Sequence, residues 1–82
     1  MINYRAAFLE ELTRIAPDID AATVGDDDHI QDDLELDSMD VLNLVSALHA
    51  RFALSIPESD YEHIATPRLA ARYLERNLTA NP

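Results

Sequence analysis

The chain has 82 residues, 48% of them hydrophobic, with sixteen Asp and Glu against six Arg, no Lys and a formal net charge of −10. A chain this short holds one modest core and leaves little room for a catalytic cleft between lobes, so a stand-alone enzyme is not expected. With no Cys there is no disulfide, thiolate nucleophile or Cys-based metal site. The acidity repels phosphate backbones and anionic lipid heads, which leaves basic proteins as the expected partners and excludes nucleic acid and membrane.

No apolar run reaches the roughly 18 residues of a spanning helix, and Met1–Leu12 carries Arg5, Glu10 and Glu11 where a signal peptide needs an apolar stretch. A cytoplasmic monomer is the expectation. Helix periods dominate the pattern. Between residues 3 and 16, Phe8, Leu12 and Ile15, with Leu9 and Ala16 beside them, fall on one face, and Pro17 ends the run. Residues 17–37 form a long connection with turn-prone Asp and Gly and three isolated apolar anchors, Val24, Ile30 and Leu34. Val41, Leu44, Val45, Leu48 and Phe52 predict a second helix over 38–53. After Ser55-Ile56-Pro57, a short helix over 58–64 points Tyr61 and Ile64 inward. Thr66-Pro67 then opens a last helix over 67–78, because Thr caps free N–H groups and Pro fits the first helical position. Its expected buried face is Leu69, Ala70, Tyr73, Leu74 and Leu78. The sum is an all-α fold, a small four-helix bundle of three longer helices and one short helix with a long first loop, in one domain over 1–82.

Ten of the sixteen acidic residues lie between Asp18 and Asp40, a stretch without Arg, whereas Arg68, Arg72 and Arg76 repeat every four residues on the last helix. That stripe reads as a solvated helix face, and the two charge clusters as separate places on the molecule. Asp26-Asp27-Asp28 lacks the alternating ligands and central Gly of a calcium loop, so no specific metal site is expected.

Asp37 is placed as N-cap of the second long helix, with Asp40 adding charge near the positive end of the helix dipole. Ser38 is then the first helical residue, near solvent. At about 100° per residue Met39 lies about 160° from Val41, on the outer face with Asn43, Ser46 and Ala50. A Ser at a helix start is ordinarily a cap or filler. Its hydroxyl has no His or Lys close in sequence to activate it, and a hydrolase would need the fold to bring His29 or His63 near. The position suits a hydroxyl that receives a group: a phosphodiester there would rest against a helix N-terminus, which favours an anion.

The run Asp33-Leu34-Glu35-Leu36-Asp37-Ser38-Met39-Asp40 resembles the attachment motif of acyl carrier proteins, D-L-G-x-D-S-L/M. Phe52, then Ile56-Pro57-Glu58 and Ile64-Ala65-Thr66, resembles the same family's passage from its second helix into its third. The resemblance covers nearly the whole chain in length and helix order. It implies a carrier without catalytic activity, on which a phosphopantetheinyl transferase moves 4′-phosphopantetheine from coenzyme A to Ser38. The thiol of that arm would carry acyl groups as thioesters in fatty acid, polyketide or specialised lipid biosynthesis. Asp37, Met39 and Asp40 match the family surface that meets basic patches of acyl-loading, synthase and acyltransferase enzymes. Ile30, Val45, Leu48, Ile56, Tyr61, Ile64 and Ala70 match its acyl cavity, although each is equally explained as ordinary core.

The sequence also departs from that pattern. Glu35 stands where the motif usually has Gly, so a positive φ there would strain it. Asn43, Ser46, His49 and Ala50 replace further acidic residues on the second helix, and Tyr61 fills a position often held by a small residue, which predicts a short cavity. Two alternatives stay open at this point: an aminoacyl or peptidyl carrier, and an acidic helical adaptor that needs no prosthetic group.

Overall fold

A computed structural model describes residues 2–79, and every regular element in it is helical. Helix α1 spans Tyr4–Ile15, α2 Ser38–Phe52 and α3 Pro67–Thr79. Two stretches of 3-10 helix lie between them, a single turn at Ala21–Thr23 and a longer segment at Glu58–Ile64. The radius of gyration is 11.7 Å.

Local chemistry sets the helix ends. The Asn3 side chain accepts from the Ala6 amide at 3.0 Å and starts α1, so Asn3 is its cap and not its first turn. Thr66 opens α3: its hydroxyl accepts from Leu69 N at 3.2 Å and its carbonyl from Ala70 N at 2.8 Å. The buried Pro67 fills the first helical position. Ala53 ends α2 in the left-handed region, φ 53°, with its amide donating to the His49 carbonyl at 2.8 Å.

Helix α1 packs against both α2 and α3, and the Glu58–Ile64 segment packs on α3. Phe8, Leu12, Leu44, Leu48, Ile64 and Leu74 are fully buried where these elements meet. Removing each such side chain from water stabilises the fold by about 1.5–3 kcal/mol. Val24, Ile30 and Leu36 anchor the long connection to this core, and Leu34 is only half-buried. The connection is therefore a succession of turns tied down at intervals. Asp20 starts the turn at Ala21–Thr23 by accepting from Ala22 N at 3.0 Å, and Ile30 N donates to the Ala65 carbonyl at 2.9 Å.

The short helix expected over 58–64 is present at Glu58–Ile64, wound as 3-10: it follows Pro57 without a side-chain cap, and Asp60 N closes a tight bond to the Pro57 carbonyl at 2.8 Å. Two expectations need correction. Leu69 is 39% exposed, because the α3 stripe that meets the core runs through Pro67, Ala70, Tyr73 and Leu74. Glu11 is a buried carboxylate at the contact of α1 with α2. The arginine stripe is not merely solvated, nor are the two charge clusters apart. Arg68 Nε donates to Asp27 at 2.9 Å, Arg68 N donates to the Asp26 carbonyl at 2.9 Å, and Arg5 of α1 pairs with the Asp26 carboxylate.

Candidate functional site

Asp37 and Asp40 form a reciprocal capping box at the start of α2. The Asp37 carboxylate accepts from Asp40 N at 2.8 Å, and the Asp40 carboxylate faces Asp37 N at 3.4 Å. This box fixes the first turn and with it Ser38, the first helical residue, which is exposed. Two residues before it Leu36 is buried and its amide donates to the Ile30 carbonyl at 3.0 Å. The serine thus rises to the surface from an anchored approach. Between anchor and cap, Glu35 turns the chain at φ 63°, the left-handed conformation in which a side chain costs energy.

Beside Ser38 lies a groove of about 570 Å³. Its walls come from the turn at His29–Gln31, from Val41 and Leu42 of α2, from Glu58, Tyr61 and Glu62 of the 3-10 segment, and from Leu69 of α3. Leu42 is 45% exposed, and with Leu69 it gives the groove an apolar lip, while Met39 stands outside at 64%. The exposure of Leu69 follows: it lines an opening instead of filling the core.

Of the seven residues matched to an acyl cavity, Ile30 and Tyr61 line this groove. Leu48, Ile64 and Ala70 are completely buried in the core. Val45 and Ile56 border a separate shallow cleft of about 270 Å³ with Ser46, His49 and Ser55. Val41, Leu42 and Leu69 were missed as lining residues, because helical periodicity separates buried from exposed faces but does not mark the boundary where a groove opens. Asp37 and Met39 are exposed and Asp40 half-buried, all at the same end of α2 as Ser38.

His29 is brought to the groove that Ser38 lines, but its Nδ1 accepts from the amides of Gln31 and Asp32, each at 3.2 Å. That nitrogen is turned to its own backbone and the Asp37 carboxylate to Asp40 N, so neither is hydrogen-bonded to the Ser38 hydroxyl. The site offers an accessible hydroxyl and a neighbouring groove without a base poised on the oxygen. Such a geometry suits a residue that is modified by another protein. It also accommodates an attached phosphodiester and arm: the hydroxyl stands at a helix N-terminus, and the adjacent groove has both apolar and polar walls. Among the described residues no group of three or more His, Asp or Glu side chains is arranged to hold a metal ion, and no helix is long and apolar enough to cross a membrane.

Comparison with known proteins gives the same picture. Residues 6–74 match the family model described as a phosphopantetheine attachment site. An acyl carrier protein of Helicobacter hepaticus is 34% identical over 75 residues, 92% of each chain. The solved structure of the acyl carrier protein of Enterococcus faecalis, described for its high thermal stability, superposes with a TM-score of 0.72 at 34% identity, covering 89% of this chain and 96% of that one. With the helix order, the exposed serine after its capping aspartate and these matches in agreement, the chain belongs to the acyl carrier protein family, whose members are carriers and not catalysts.

Proposed function

We propose that this chain carries acyl groups as thioesters on a 4′-phosphopantetheine arm attached to Ser38. It would work as a monomer in the cytoplasm and serve the assembly of fatty acid, polyketide or specialised lipid chains. The observation that carries this reading is the exposed Ser38 at the head of α2, held by the Asp37–Asp40 box beside the apolar groove.

In the attachment step the Ser38 oxygen forms a bond to the coenzyme A phosphorus that bears the pantetheine. The phosphoanhydride bond breaks and adenosine bisphosphate leaves. The hydroxyl proton passes to a base on the phosphopantetheinyl transferase, since the nearby His29 Nδ1 and Asp37 carboxylate are turned to backbone amides and not to the hydroxyl. The arm supplies the terminal thiol, which a chain without Cys otherwise lacks. Asp37 and Asp40, with Met39 between them, offer acidic and apolar contacts to the basic patches of the transferase and of acyl-loading, synthase and acyltransferase enzymes. The groove beside Ser38, lined by Ile30 and Tyr61, is the proposed shelter for the first part of the acyl chain.

The test is intact-mass analysis after incubation with coenzyme A and a broad-specificity transferase. The wild type gains the mass of one phosphopantetheine and Ser38→Ala gains none. A wild type that remains unmodified, or a Ser38→Ala variant that is still modified, removes the reading.

A further inference from the structure

We propose that His29 is a proton-operated staple on the wall of the Ser38 groove. Five hydrogen bonds meet at this residue. Its Nδ1 accepts from Gln31 N and Asp32 N, its carbonyl accepts from Asp33 N at 2.8 Å and Leu34 N at 3.1 Å, and its own amide donates to the Asp33 carboxylate at 2.7 Å. The imidazole therefore organises the turn as a capping side chain does. An imidazole nitrogen accepts N–H bonds only while its lone pair is free, so the structure assigns the ring to the neutral tautomer with its proton on Nε2.

A second proton can enter only at Nδ1, where it faces the two amides. Charged groups stand on the ring's own turn and across the groove from it. On its own turn stand the carboxylates of Asp28, Asp32 and Asp33, with Asp32 Oδ2 3.9 Å from Nδ1. Across the groove the 3-10 segment presents Glu58, Glu62 and the Tyr61 phenol, while α2 and α3 present Ser38, Val41, Leu42 and Leu69, none of them charged. Protonation thus exchanges two backbone hydrogen bonds for an ion pair with Asp32, and the ring, about one-third exposed, has room to turn towards it.

The exchange acts on the groove because the same turn is part of its wall. Ile30 N holds the turn to the Ala65 carbonyl, and the Ile30 carbonyl holds Leu36 N two residues before Ser38. Releasing the Gln31 and Asp32 amides loosens the wall that links these two bonds. The device belongs to the polypeptide itself and does not depend on Ser38 being modified.

Nuclear magnetic resonance of the unmodified full chain between pH 8 and pH 5 tests it, by imidazole nitrogen spectra and amide titration. At pH 8 the His29 ring is expected with its proton on Nε2. On acidification the Gln31 and Asp32 amides move with the midpoint of the His29 ring and lose about tenfold of their protection against exchange, measured relative to the intrinsic rate at each pH, as loss of a net backbone hydrogen bond allows. The ring signals of His49 and His63 serve as controls, which those amides are not expected to follow. In His29→Ser, whose hydroxyl accepts but does not titrate over this range, the step at Gln31 and Asp32 disappears. A proton found on Nδ1 at pH 8, or an unchanged step in His29→Ser, overturns the proposal. Should that variant fail to fold, the wild-type tautomer and the shared midpoint decide the matter alone.

Discussion

Among the described residues two positions other than glycine sit in the left-handed region, Glu35 at φ 63° and Ala53 at φ 53°. The left-handed conformation costs a side chain about 1–2 kcal/mol, while glycine loses about 0.5–1 kcal/mol through its greater freedom in the unfolded chain. Glu35→Gly and Ala53→Gly are each expected to raise the unfolding free energy by about 0.5 kcal/mol in urea titrations. A loss of stability at Glu35 would show that its side chain makes a compensating contact. Asp37→Ala removes the cap of α2 and is expected to lower stability by about 1 kcal/mol, with amide exchange quickening first at Asp40. The strain at Glu35 was legible, because a side chain stands where the resembled motif places glycine. The role of His29 was not: a histidine among aspartates shows no preferred partner until the turn closes around its ring. Tyr73 is a further residue whose behaviour depends on the fold. Burial first, then its 2.8 Å hydrogen bond to Asp60 and the charge of that carboxylate, push its phenol up to about 12, with Arg76 opposing. The folded state therefore favours the protonated phenol. This contribution is complete below the ordinary phenol value of 10.0 and is lost as pH rises towards 12. Tyr73→Phe should flatten the fall of melting temperature over that interval, and an unchanged slope would place the alkaline sensitivity elsewhere.

Helices α1 and α2 are joined by a polar clamp as well as by apolar packing. The buried carboxylate of Glu11 accepts from Arg51 Nη1 of α2 at 2.9 Å and from Arg14 Nη1 at 3.1 Å, and Arg51 also meets Glu10 at 2.7 Å. Removing one partner of a buried charge leaves the other exposed to the full desolvation penalty. Arg51→Ala should accordingly lower the melting temperature more than Arg68→Ala, after which exposed Asp27 returns to water and Asp26 keeps Arg5. Equal losses would mean that Arg14 alone satisfies Glu11. The three long helices were legible in the sequence because their apolar residues recur at the helical period and their ends carry Asp37, Thr66-Pro67 and Pro17. The clamp was not, since a Glu on a helix reads as solvent face and its partner lies forty residues away. The pairing of Arg68 with Asp27 was hidden for the same reason, at a separation of 41 residues. A cavity with Ile30 and Tyr61 in its wall was expected from the resemblance, but its lip was not, because Leu69 reads as core by its helical period and Leu42 falls beside the core stripe.

A net charge of −10 on a small molecule accelerates encounters with basic proteins, and added salt suppresses that gain as the screening length contracts. Stopped-flow association with a basic transferase is expected to slow steeply as sodium chloride rises. Because Arg5 and Arg68 already neutralise Asp26 and Asp27, the Asp26→Asn/Asp27→Asn variant should keep most of its salt dependence, whereas Asp32→Asn/Asp37→Asn should lose more of it. The reverse ranking would place the encounter surface at the arginine end of α3.

The internal pairing of those two aspartates with arginines from α1 and α3 shapes the molecule's far field. Counter-charge consumed on one flank leaves the surplus displaced towards the head of α2. A positively charged visitor therefore feels a torque as well as a pull while still at a distance. A basic partner that docks at the head of α2, as proposed above, would be turned to meet the serine before any surfaces touch, with fewer collisions wasted on the wrong side.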